Sequence, residues 1–389
     1  MMRAILLGLL MAAVALVAPL QAEPFATSAP VAFLIDTATG SVLLDKGADR
    51  PIEPAAMAKL MTIAVVAQAL RAGETTRETE YPISEQTWRK GGAPSGSATM
   101  FAAVRSRIRV DDLLRGVIVQ AANDACLALS EGITGQQEGL ALRMNALAAQ
   151  IGMRHSQFRN VTGFADPQQL TTARDLALLL TWLRTNEPEV YAIYQEKDFT
   201  WNKIRQTNRN PLLTADLGVD GGVTGASDTA GYGLIVSAAH GDQHFVLVLQ
   251  GMKTIAERAA EAKRLLQWAE TSFEQKTIFT KGETVGEASV FGGLAPGVPL
   301  AADRDVELLV NSANEEKLSA KLVYDGPLEA PIRKGAAAGR LQILREGHVS
   351  LEIPLYASAD IPIGSLPQRA FGAIYELGIG LVQGGHGKR

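Results

Sequence analysis

The sequence predicts a mixed α/β domain followed by a small all-β domain, on three observations. Up to about residue 275, strand-like apolar runs are interspersed with stretches of helical periodicity. Within that region the runs 232–237 and 244–249 read as a pair of half-buried strands. Beyond Lys276, Gly and Pro become frequent, and short β-like runs recur at the spacing of a small β-domain.

The elements follow in order. Ala32-Phe33-Leu34-Ile35, the turn residues Asp36 to Gly40, and Ser41-Val42-Leu43-Leu44 read as strand, turn, strand. A helix is predicted over 55–72, with Pro54 at its start, where a missing N–H costs little, and Gly73 just past its end. Leu113, Leu114, Val117 and Ile118 mark a second helix over 111–120, and Asp124 is the predicted N-cap of a third running to about Glu131. Leu140, Met144, Leu147 and Ile151 mark another, as do Leu176, Leu179, Leu180 and Leu183, and 257–273 closes the region as an amphipathic helix. The later β-like runs are 306–310, 321–323, 341–344 and 349–353. At the C-terminus Leu366, Ala370, Phe371, Ile374, Leu377 and Leu381 return to helical spacing. Two readings stay open there: a helix lying on the inner-membrane surface as a peripheral contact, and a helix packed on its own domain.

At 389 residues the chain is long enough for two domains. A net charge of −4 carries no polyanion-binding signature and argues against nucleic acid as a partner. Arg3, the apolar run from Ala4 to Leu20 and the sequence Gln21-Ala22-Glu23 have the layout of a secretory signal peptide cleaved after Ala22. An uncleaved membrane anchor is the alternative; the Ala-rich composition and the polar break after Leu20 favour cleavage. The predicted organisation is a signal peptide at 1–22, an α/β domain at 23–275, a β-rich domain at 276–362 and an amphipathic tail at 363–389. Cys126 is the only cysteine, so an exported protein would hold no internal disulfide; the residue itself reads as core. His155, His240, His244, His348 and His386 show no metal-ligand spacing, and no cofactor is implied. Arg105, Arg107 and Arg109 read as a solvated face, and the Gly91-to-Ser97 stretch as a flexible loop.

Three short frames carry the chemical signal. Pro54-Ala55-Ala56-Met57-Ala58-Lys59 reads as Ser-x-x-Lys with Ala56 in the serine position, and Lys59 lies one turn further along the same helix face. Ala121-Ala122-Asn123 reads as Ser-x-Asn with Ala121 for serine. Val223-Thr224-Gly225 reads as Lys-Thr-Gly with Val223 for lysine. In this order the frames resemble the triple signature of serine β-lactam-recognising enzymes. The longer stretches around them, with Phe158-to-Gly163, Thr172-to-Leu176 and Asn208-to-Leu213, resemble the low-molecular-mass penicillin-binding proteins, the serine D-alanyl-D-alanine carboxypeptidases. The resemblance implies a serine β-lactamase/transpeptidase-like fold, an antiparallel sheet with a helical subdomain, ahead of the all-β domain. It further implies an exported, periplasmic protein attached to the outer face of the inner membrane, with a peptidoglycan stem peptide as its ligand.

In that family the serine of the first frame attacks the carbonyl between two D-alanines. A methyl group at Ala56 has no lone pair for this, and no serine in the chain has a lysine three residues later. The resemblance makes Lys59 the general base. With neutral Val223 in place of a second cation, Lys59 is expected to stay protonated, while burial would push the other way. Ala121 lacks the hydroxyl that would relay a proton, and Val223 lacks the cation that would meet the substrate carboxylate. Asn123, Thr224 and Gly225 remain as substrate-binding residues, and backbone N–H groups at Ala56 and near Ala226 remain as an oxyanion hole. The expectation is a catalytically inactive homologue that either binds the stem peptide weakly or serves as a scaffold at the cell wall. The rival expectation is an active carboxypeptidase trimming peptidoglycan stem peptides.

Overall fold

A five-stranded antiparallel sheet organises the first domain in the computed structural model, which describes residues 26–312, 316–367 and 369. The predicted signal peptide, His386 and most of the predicted tail, with its periodic residues from Ala370 onward, lie outside the described residues. The sheet is built from β1 (Val31–Asp36), β2 (Val42–Lys46) and three strands that arrive much later in the chain. Between them lie most of the helices and two small antiparallel strand pairs. The 3-10 turn Ala55–Ala58 runs into α1 (Lys59–Arg71). The pair β3 (Glu80–Pro82) and β4 (Arg107–Arg109) flanks α2 (Glu85–Gly91), and α3 (Val110–Gln120), α4 (Asn123–Thr134), α5 (Gln137–Ile151), α6 (Ala173–Asn186) and α7 (Pro188–Tyr191) follow. After the hairpin of β5 (Asp198–Trp201) and β6 (Ile204–Thr207), the chain returns to the sheet as β7 (Val219–Ser227), β8 (Gly231–His240) and β9 (Gln243–Met252), then closes with α8 (Ile255–Ser272). The strand order is β2-β1-β9-β8-β7, which leaves β7 at an edge.

The strands 232–237 and 244–249 pair antiparallel but are not half-buried. Leu234, Ile235 and Val236 are all enclosed, because helices cover both faces. Ile235, Val246, Val248 and Phe33 face the α1-to-α6 side. Leu234, Val236, Leu247 and Leu249 face Leu265, Leu266 and Ala269 of α8. Each such side chain withdrawn from water contributes about 1.5–3 kcal/mol, so the two-sided burial dominates stability here. Asp124 departs from its predicted role as well. Ala122 is the N-cap of α4, and the Asp124 carboxylate instead accepts from Thr99 Oγ1 and the N–H groups of Met100 and Ala102, holding the 97–102 segment.

The β-rich part of the chain starts at Phe273. β10 (Phe273–Phe279) leaves directly from the end of α8 and pairs with β13 (Val306–Asn311). A six-stranded sheet holds β11 (Thr284–Phe291), β12 (Gly297–Ala301), β14 (Leu318–Val323), β15 (Leu328–Glu329), β16 (Ala337–Arg345) and β17 (His348–Ala357) around Val298, Leu300, Leu308, Ile353 and Leu355. Leu309 belongs to the α8-side core of the first domain. Its N–H donates to Ser41 Oγ at 3.1 Å, and Ser350 Oγ donates to the Val42 carbonyl at 2.7 Å. Among the described residues, no helix is long and apolar enough to cross a membrane.

Candidate functional site

The three frames converge on one cleft of about 830 Å³, lined by Ala56, Ala121, Thr224, Gly225 and Ala226 among others. Backbone shape forces this meeting. Ala55 takes a φ of 47°, turning the chain from Pro54 into the helix. Gly163 lies against that turn so closely that a β-carbon there would stand 1.9 Å from the Ala55 carbonyl oxygen. On the other side Gly225 of β7 presses on it, with an added β-carbon falling 2.9 Å from Met57 Cγ and 3.1 Å from Pro54 O. Ala121 caps α3 with φ 58° and ψ 33°, a left-handed conformation that costs a residue with a β-carbon about 1–2 kcal/mol. Its position is fixed by the Ala122 N–H donating to Gly116 O and the Asn123 N–H donating to Ala98 O.

Lys59 is 4 % exposed, and its ammonium donates to the Thr162 carbonyl oxygen. Burial pulls its pKa below the usual lysine value, with the neighbouring Cys126 thiol opposing. Burial thus acts against the expected tendency of Lys59 to stay protonated, the opposing influence the sequence already suggested. Cys126 is fully buried, and its thiol is pushed up to about 12, mainly by the same loss of water. Val223 is partly buried and packs on the α1-to-α6 side, next to the cleft-lining Thr224.

Asn123 is 5 % exposed, and its Nδ2 donates to Ser97 Oγ at 3.0 Å. Its Oδ1 is buried without a partner among the described residues. The Gly91-to-Ser97 stretch is an ordered turn rather than a loose loop. Ala93–Ser95 is a 3-10 turn, Ser95 Oγ donates to Gly92 O at 2.7 Å, and Ser95 and Ser97 share a hydrogen bond of 2.7 Å. Ser97 thus brings a hydroxyl into the cleft, but its neighbours are an amide and another hydroxyl, and neither is a base that could activate it.

Three arginines line the cleft: Arg205, paired with Asp198 at 2.7 Å, Arg209, and Arg258, which sequence reasoning missed. Arg258 is 5 % exposed, donates through Nη1 to Gly233 O at 3.2 Å, and leaves its Nε buried without a partner among the described residues. Burial pulls its pKa downward, with Tyr232 opposing. A buried guanidinium with a free donor is suited to a carboxylate. No local pattern signals it, because Arg258 reaches the cleft from α8, more than thirty residues after the third frame.

A second polar cluster lies at the start of β7. Although burial opposes it, hydrogen bonds from His244 and Ser237 hold the Asp220 carboxyl below its usual range. These are the residue types of a hydrolytic triad, but the Ser237 hydroxyl is 0 % exposed and bonds the carboxylate rather than the imidazole. The cluster anchors β7 to β8, β9 and Tyr191.

A sheet flanked by helices on both faces, with its edge strand over the start of a buried helix and an all-β domain behind it, defines a carboxypeptidase-type penicillin-binding fold. The comparisons place it further. A family model described as D-alanyl-D-alanine carboxypeptidase matches residues 18–254, and one for the C-terminal domain of penicillin-binding protein 5 matches 273–362. The chain is 36% identical to the D-alanyl-D-alanine carboxypeptidase DacC of Escherichia coli, over 88% of this chain and 86% of that one. Among solved structures, penicillin binding protein 5 from Haemophilus influenzae superimposes with a TM-score of 0.71 at 33% identity, covering 88% of this chain and 99% of that one. The carboxypeptidase DacD from Francisella tularensis gives 0.69 at 26%, covering 87% and 95%. The chain belongs to the D-alanyl-D-alanine carboxypeptidase family of low-molecular-mass penicillin-binding proteins.

Proposed function

We propose that this chain is a non-catalytic member of its family that holds a carboxylate-ended stem peptide reversibly in the cleft, without forming an acyl-enzyme. The observation that carries the reading is Ala56. It lines the cleft at the start of the helix that bears Lys59, between the Thr224–Ala226 edge and Ala121, and it offers only a methyl group. Removing a nucleophilic serine of this kind costs on the order of a millionfold in turnover. What remains suits binding. Thr224 and Gly225 supply an open strand edge for an extended peptide, Arg258 supplies a cation for its terminal carboxylate, and Asn123 stands behind Ser97 at the opposite lip. The place of action that fits is the cell wall outside the inner membrane, reached through the predicted signal peptide.

Intact-protein mass spectrometry after incubation with benzylpenicillin tests the reading. The expected mass is that of the untreated chain; an added penicilloyl group on any residue of the cleft overturns it. In parallel, Arg258→Gln is expected to weaken binding of a D-Ala-D-Ala-ended peptide at least about tenfold, since a hydrogen bond to a charged group contributes about 1.5–3 kcal/mol.

A further inference from the structure

A second cavity, of about 850 Å³, lies beside the hairpin that joins β7 to β8 and shares only Ala226 and Tyr232 with the cleft. The 50–53 segment, the start of β1 and the end of β9 complete its walls. Its size is that of a small-ligand pocket. The hairpin wall is fastened on two sides: Gln250 Nε2 donates to Ala230 O at 2.7 Å, and Thr229 Oγ1 donates to Glu53 Oε2 at 2.5 Å.

The charges in this cavity are unusual in being left over. Glu53 Oε1 is buried and has no hydrogen-bond partner among the described residues. A carboxylate oxygen removed from water without a donor is costly, so the site calls for an N–H-bearing group. Asp228 adds a second, exposed acid from the hairpin. Arg50, on the same segment as Glu53, and Lys253, just past the end of β9, also line the cavity and are exposed, and neither side chain makes an ion pair or hydrogen bond among the described residues. Two acids and two bases cancel, so neither a simple anion nor a simple cation is favoured. A ligand carrying both signs satisfies all four.

We propose that this cavity binds a short peptide with both ends free, its ammonium at Glu53 and Asp228 and its carboxylate at Arg50 and Lys253. The site is distinct from the frames and stands whether or not the cleft is catalytic.

The test is saturation-transfer NMR on the full chain with glycylglycine, chosen because it has no chirality for the cleft to select. N-acetyl-glycylglycine and glycylglycine amide serve as probes with one end blocked. Glycylglycine is expected to bind saturably, and blocking either end is expected to weaken binding about tenfold, the loss of one charge-assisted contact. Arg50→Gln and Glu53→Gln are each expected to do the same with an unchanged melting temperature. Arg258→Gln in the cleft is expected to leave glycylglycine binding as it was. The proposal is overturned by no saturable binding, by equal binding of the blocked probes, or by loss of binding in Arg258→Gln but not in the two cavity variants.

Discussion

Restoring a single hydroxyl, Ala56→Ser, gives the most direct measure of how far the cleft has moved from catalysis. The new Oγ would stand at the start of α1 with Lys59 one turn on and backbone N–H groups at its own position and at Ala226. Burial already pulls the Lys59 pKa down, the direction a general base needs. Arg258 can hold the substrate carboxylate. The shortage that persists is at Ala121, where no hydroxyl can pass a proton to the leaving amine. Positioned proton transfer is worth about a hundredfold to ten-thousandfold. Ala56→Ser should therefore acylate with fluorescent penicillin detectably but release D-alanine from a D-Ala-D-Ala peptide at least about a hundredfold more slowly than the triple variant Ala56→Ser, Ala121→Ser, Val223→Lys. Burst labelling and D-alanine release, measured on both proteins, separate the two steps. Equal D-alanine release by the single and triple variants would refute the reasoning, because it would mean that Ala121 and Val223 deprive the cleft of nothing.

The remaining predictions concern the scaffold. Gly163→Ala should destabilise by about 3 kcal/mol in denaturant melts, since its φ of 81° and its 1.9 Å approach to the Ala55 carbonyl leave no room for a methyl group. Ala121→Gly should raise stability by up to about 1 kcal/mol, because relief of the left-handed strain outweighs the added freedom of the unfolded chain; no rise in the denaturation midpoint would count against strain at this cap. Hydrogen bonds from Arg264, Thr27 and the Ser28 N–H hold the Glu261 carboxyl at about 2, below its ordinary 4.5, with burial opposing. Its folded pKa is depressed, so its stabilisation is complete above about 4.5 and fades as pH falls through about 2. Glu261→Gln should flatten the fall in stability across that window, and an unchanged pH profile would show that the carboxylate is not the group responsible.

The sequence exposed the frames because their spacing is local and their elements are strongly periodic. Helices α1, α3, α5 and α6, and the β8–β9 pair, appear where apolar spacing puts them. What escaped notice depends on contacts between distant segments. Asp124 looks like a cap because nothing nearby reveals that the 97–102 segment folds over it. The strands β8 and β9 read as half-buried because their sequence cannot show that α8 covers the second face. The downward pull on Lys59 comes from a surrounding core assembled from several helices, against which Val223 also packs. Arg258 is a single arginine without a motif, and only folding brings it to the cleft.

The seam between the domains has a mechanical consequence. Arg345 of β16 donates to the carbonyls of both Val42 and Leu309, and its guanidinium lies 5.1 Å from the centre of the Phe273 ring. With Leu309 sunk into the first domain's core and Ser350 bonded to β2, swivelling at Phe273 would expose apolar surface and break these bonds together. The β-domain therefore acts as a rigid pedestal, and whatever holds its far end also sets the bearing and reach of the cleft.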